Sequence, residues 1–235
     1  MRLNTVKFFW IIFLIDVVSL AAVDIKSVFQ RVKHPLFIES IRPFIHSNFW
    51  EPEGKRAPII QSDIDRLFDG PISRGTLDLK NHYIQFERDG AMGIYTREYV
   101  LYFSEDKLPI FVGSEQNSSL HEKFTSIFAL CQQKDLSWVD CTFEIFPKYN
   151  VTELLKPGQK LNPKTADLFW LLYKLPQKGT DIELEIACDD LTFHNKPEWA
   201  DMEAARKAYE RELAKFSRKK IILTWDKPAR RFKEK

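Results

Sequence analysis

The chain has 235 residues, 44% of them hydrophobic and 14% aromatic, with a formal net charge of +2. That length suits one domain with a real core, and neither low-complexity tracts nor internal repeats break it up. Charge is balanced overall but uneven: residues 204–235 hold 12 Lys/Arg against 4 Asp/Glu, whereas residues 22–203 hold 21 against 28.

Arg2 and Lys7 precede the apolar run Phe8 to Val23, which only Asp16 interrupts. Ser19 and Ala21 place small side chains where a signal peptidase inspects them, so the run reads as a secretory signal cleaved after Ala21. An uncleaved anchor is the rival reading. It is short of the roughly 20 residues a spanning helix needs, and a central Asp costs about 2.5–3.5 kcal/mol on insertion scales. An ordinary core helix lacks support, because the run has no polar face before Asp16. No Cys follows it to serve as a lipoprotein attachment site.

Ile25, Val28, Phe29 and Val32 then form one helical stripe, with Asp24 as cap and Pro35 as terminator. Leu36 to Phe49 is apolar but contains Pro43, and reads as a short helix or an extended segment. After a loop over 50–58, Ser62-x-x-Asp65 resembles a capping box ahead of Ile64, Leu67 and Phe68, which Gly70-Pro71 ends. From Gly75 the period becomes two. Turns at Lys80-Asn81, Asp89-Gly90 and Glu105-Asp106 separate three or four antiparallel strands up to Val112.

Leu120, Phe124, Ile127, Phe128 and Cys131 fit a helical stripe, so the spacing predicts a helix there. Ser137 to Phe146 alternates as a strand, with Val139, Cys141, Phe143 and Ile145 on one face. Asn162 and Pro163 look like the cap and first turn of a helix through Leu175. Thr180 to Cys188 is the clearest strand, its outer face acidic and therefore wet or facing a cation. Asn195 and Pro197 open a last helix to about Arg218, and Ile221 to Trp225 reads as a final strand.

The expected fold is therefore α+β: a single antiparallel, curved sheet with helices packed on one face, preceded by a signal segment. The expected organisation is a signal peptide at 1–21, one domain at 22–226, and a basic disordered tail at 227–235.

In an oxidising compartment, three cysteines allow one bridge and one leftover thiol. Cys141–Cys188 across neighbouring strands is the first choice and Cys131–Cys141 the second; three buried thiols are the alternative. Asn117-Ser118-Ser119 and Asn150-Val151-Thr152 match the glycosylation sequon, both in expected loops. Asp189, Asp190 and His194 close the clearest strand and are weak candidates for acid–base chemistry, with solvated turn residues the plainer account. No nucleophile-elbow, zinc-protease, phosphate-loop or dinucleotide motif occurs, and no metal site or cofactor is expected.

Arg206, Lys207, Arg211, Lys215, Arg218, Lys219 and Lys220 crowd the last helix, with Arg230 and Arg231 beyond it. Such a run suits an anionic membrane surface or an acidic protein; it equally suits a helix lying against the chain's own acidic strands. Export argues against nucleic acid. The sequence alone thus favours an exported, non-catalytic domain that binds a ligand or protein partner. A secreted hydrolase without a linear motif, or a membrane-anchored assembly factor, is the alternative.

Overall fold

The computed structural model describes residues 23–45, 57–69, 74–90, 93–119, 123–163, 166–188 and 202–235. The leader and its cleavage position lie outside these residues. So do Gly70-Pro71, Leu120 and the start of the last predicted helix.

Three short helices come first. In α1 (Ile25–Arg31) the Asp24 carboxylate accepts from Ser27 N–H at 2.8 Å, as the cap reading required. Pro35 does not end α1 but opens α2 (Pro35–Ile45), at the first-turn position where its missing N–H costs nothing. Helix α3 (Gln61–Asp69) is capped differently from the Ser62/Asp65 expectation. Asp63 accepts from Ile60 N–H, while Asp65 accepts from Gln30 on α1.

An antiparallel meander of six strands follows, with neighbours in sequence order. The strands are β1 (Arg74–Asp78), β2 (Tyr83–Gly90), β3 (Gly93–Phe103), β4 (Pro109–Ser119), β5 (Lys123–Gln132) and β6 (Trp138–Asp140). Alternation along them sends two sets of side chains to opposite faces. Ile84, Phe86, Tyr99, Leu101, Phe111, Phe128 and Leu130 meet the helices. Phe29 of α1 sits at the centre of that layer, its ring 4.7 Å from Phe37 and 5.2 Å from Tyr99. Gly113 has no side chain because the Phe128 ring occupies the space a Cβ would need.

The opposite face carries Tyr83, Val100, Tyr102, Ile110, Val112 and Ala129, and a second sheet covers it. That sheet has four antiparallel strands in sequence order: β7 (Phe169–Lys174), β8 (Ile182–Cys188), β9 (Lys220–Asp226) and β10 (Arg231–Glu234). The expected single sheet with helices on one face is thus corrected to a mostly β molecule of two antiparallel sheets, with few helices. The reason is visible in β3. Tyr99, Val100, Leu101 and Tyr102 are all buried, so both faces of the sheet need cover, and only one cover is helical.

Three further expectations change with it. The predicted helix at 120–131 is β5, because an apolar run buried on both faces fits helical and strand spacing alike. The predicted helix at 162–175 is a 3-10 turn (Ala166–Leu168) followed by β7. The predicted strand at 137–146 is β6 followed by a four-residue helix, α4 (Thr142–Ile145). A further 3-10 turn (Val151–Leu154) follows α4, and α5 (Met202–Leu213) ends before the predicted Arg218. Nor are residues 227–235 a disordered tail. They turn back so that β10 pairs with β9 and buries Phe232, stacked on Phe146 at 4.8 Å.

Candidate functional site

Among the described residues, buried charged and polar groups gather on opposite faces of β3 and β4. Between the sheets, Glu98 is buried beside Tyr83, Ser114 and Gln116. Its Oε1 accepts from the Tyr83 hydroxyl at 2.8 Å, and its Oε2 accepts from Leu175 N–H at 3.0 Å and from Gln116 Nε2 at 3.4 Å. Ser114 Oγ and Gln116 Nε2 also donate to the Tyr173 carbonyl, at 2.8 and 3.2 Å. These bonds fasten the end of β7 to the central strands. Burial pushes the Glu98 carboxyl above its usual range, more than the Leu175 and Tyr83 hydrogen bonds and the nearby Lys174 charge pull it down. Burial likewise raises the Tyr83 hydroxyl, and the Glu98 charge adds to the effect.

On the helical face Arg97 is buried and tied to backbone oxygens. Its Nε donates to Ser40 O at 3.1 Å, and its Nη1 donates to Thr96 O and Gln116 O at 2.9 and 3.0 Å. Glu115 stands 3.6 Å from Nη2, and the guanidinium lies over the Phe44 ring. Burial raises the Glu115 carboxyl against the opposing pull of Arg97. Beside this group the Ser40 and Tyr99 hydroxyls share a 2.9 Å hydrogen bond, so α2 is pinned to β3 by polar as well as apolar contact. Both clusters spend their hydrogen bonds on the chain itself. Chemically, they join layers.

The sequence-predicted residues that are described fall elsewhere. Asp189, Asp190 and His194 lie outside the described residues. Among the described residues, no three His, Cys, Asp or Glu side chains stand together as a metal site. Of the basic set, Lys215 pairs with Glu212 at 2.6 Å, Arg218 with Glu234, Lys220 with Glu183 at 2.7 Å, and Arg230 with Asp106 at 4.0 Å. Lys207 also has an interaction partner. Arg211, Lys219 and Arg231 are exposed, and the Arg206 side chain lies outside the described set.

Cys131 and Cys141 form a disulfide with Cα atoms 5.9 Å apart, so the second-choice pairing replaces Cys141–Cys188. Cys188, at the end of β8, is not disulfide-bonded. Among the described residues, no helix is long and apolar enough to cross a membrane. The two sequons part company. Asn150 is exposed and caps the 3-10 turn Val151–Leu154, whereas Asn117 lies within β4, not in a loop, and is only 5% exposed.

Sequence reasoning missed Glu98 and Arg97. Their signal was present: adjacent opposite charges inside a strand whose flanking residues are apolar at both parities. It also passed over the corner between β5 and α4, where Leu136 is 71% and Phe143 75% exposed and Val139 is exposed as well. Lys148 lies over the Phe143 ring, 4.8 Å from its centre.

No protein-family model matches the chain, and no curated protein matches it. Among solved structures the chain is similar to a domain of an uncharacterized protein from Porphyromonas gingivalis W83. The two are 12% identical, the match covers 84% of this chain and 98% of that one, and the TM-score is 0.47.

Proposed function

We propose that the chain acts outside the cytosol as a non-catalytic domain that binds a protein partner. Export is supported by the leader in the sequence together with the Cys131–Cys141 disulfide, a bond that persists in oxidising compartments. A protein rather than a small-molecule partner is favoured because the cleft between α3 and β1–β2, lined by Leu67, Phe68, Ile84 and Phe86, has a volume of about 130 Å³, less than a small-molecule site needs. The observation that carries the reading is the disulfide-stapled corner bearing Leu136, Val139 and Phe143. Large apolar side chains held in water by a rigid turn are what a protein surface would desolvate on docking. Asp135, Asp140 and Glu144 neighbour them in the sequence, against Lys134 and Lys148, so a slight acidic excess favours a partner with an apolar centre and a basic rim.

The test places a photo-crosslinking side chain at position 143 in the full chain, expressed in its native host, with a control probe at Gln61 on α3. The expected result is one discrete adduct at 143, absent at Gln61 and lost on Leu136→Asp; its mass tells a second copy from another protein. Equal adducts at both positions, or none at 143, would overturn the reading. So would turnover of an ester, glycoside or peptide substrate that Asp189→Asn or His194→Ala abolishes.

A further inference from the structure

We propose that Asn150 is the acceptor of an N-linked glycan and that Asn117, although it carries the same sequon, is not. The inference rests on the exported reading, because the sequon is used only in a secretory route. In the reaction Nδ2 of the asparagine attacks the anomeric carbon of a lipid-linked oligosaccharide diphosphate. The new bond is C–N, the bond broken joins the sugar to the diphosphate, the lipid diphosphate leaves, and Nδ2 gives up one proton.

The two sites differ in whether the product can exist in the folded chain. Asn150 is exposed, and its Oδ1 takes up the local hydrogen bonds, accepting from Thr152 N–H and from Thr152 Oγ1, both at 3.1 Å. The Glu153 carboxylate accepts from Asn150 N–H at 3.2 Å, which completes the cap. Amide oxygen, hydroxyl and backbone are therefore engaged through atoms other than Nδ2. A sugar on Nδ2 disturbs none of these bonds, and the sequon threonine stays beside the amide.

Asn117 is placed oppositely. Its backbone is paired on both sides, opposite Tyr95 of β3 and Phe124 of β5. Its side chain points to the helix-covered face and is 5% exposed. A branched oligosaccharide on that nitrogen would have to pass through the packed layer or part β4 from its neighbours. Chains modified there would not reach the folded, exported pool.

The experiment expresses the full chain in a eukaryotic secretory host, once with its own leader and once with a heterologous one. Secreted protein is treated with a glycan-removing amidase, and the converted asparagines are mapped by peptide mass spectrometry. One glycan per chain is expected at Asn150. It should be abolished by Asn150→Gln and by Thr152→Ala, retained in Thr152→Ser, and unaffected by Ser119→Ala. A glycan at Asn150 only under the heterologous leader would uphold the site and refute export by the chain's own leader. Secreted protein unmodified at Asn150 under both leaders, or carrying sugar at Asn117, would overturn the assignment.

Discussion

The Glu98 carboxylate offers a direct test of how the two sheets are held together. Replacing it with alanine removes the acceptor for two buried donors, the Tyr83 hydroxyl and Leu175 N–H. An orphaned buried donor costs about 1–3 kcal/mol, so Glu98→Ala, which orphans two, should lose about 2–6 kcal/mol. Glutamine should behave differently. Its carbonyl can accept from Leu175 N–H while its amide donates to the Tyr83 oxygen, since a phenol hydroxyl can reverse from donor to acceptor. Glu98→Gln should therefore stay within about 1 kcal/mol of the parent near neutral pH. The pH dependence gives the sharper test. Burial raises the Glu98 carboxyl above its usual range, so the folded chain holds that proton more tightly than the unfolded one. The stability this proton contributes is fully present below the ordinary glutamate value. It is lost as pH rises through the folded one, at about 1.4 kcal/mol per unit of separation. Urea denaturation of parent and glutamine variant across pH 4 to 8 isolates the effect, because their other titrating groups are common to both. The difference should shift in favour of the variant as pH rises and then level off. A difference that moves the other way, or a glutamine variant as unstable as the alanine one, would refute the reasoning.

Two further outcomes follow from the packing. The Cys131–Cys141 bridge closes a ten-residue separation, and loop entropy assigns it about 3 kcal/mol. The double variant Cys131→Ala/Cys141→Ala should show a correspondingly lower denaturation midpoint than the oxidised parent, and identical midpoints would contradict the bridge. Phe232 is buried between Phe146 and Tyr102, whose rings lie 4.8 and 5.1 Å away. Phe232→Ala should cost about 3–5 kcal/mol in the same measurement. An unchanged midpoint would return the last nine residues to the status of a free tail.

What could be read from the sequence was whatever short-range chemistry decides. The Asp24 cap, the turn at Lys80-Asn81, the turn at Glu105-Asp106 and the alternation of β8 all depend on neighbours within a few residues. What could not be read depends on which face is covered. In β5, Ile127, Ala129 and Cys131 meet the second sheet while Phe128 and Leu130 meet the helices, so every position is apolar and the period does not separate helix from strand. Asn162-Pro163 has the residues of a helix start, yet Asn162 N–H donates to the buried Glu212 of α5, and the chain goes on into an extended strand. The mistaken disulfide pairing has the same origin. Once 123–132 is a strand, β5 pairs with β6, and Cys131 stands opposite Val139, two residues from Cys141. With Cys131 assigned to a helix, nothing in the sequence ranks Cys131–Cys141 above Cys141–Cys188. Glu98 and Arg97 were legible as charges in an apolar strand, but their partners come from 40 to 175 and could not be named beforehand.

The division of charge along the sequence has a different meaning once the chain is folded. The acidic strand face at Glu183 and Glu185 was expected to be wet or to meet a cation, and it meets two. Lys174 comes from the neighbouring β7 and Lys220 from the neighbouring β9. Farther along, Lys235 reaches Asp181 at 3.0 Å and Lys233 reaches Asp226 at 2.8 Å, so the basic terminus is drawn onto the acids that precede it. These pairs are largely exposed, so each contributes little to stability. Their larger effect is on the field. A positive block and a negative block far apart in sequence become interleaved on one sheet, where opposite charges within a few ångströms screen each other before any outside anion approaches. The linear excess of lysine and arginine therefore overstates the attraction this end of the chain exerts on a partner.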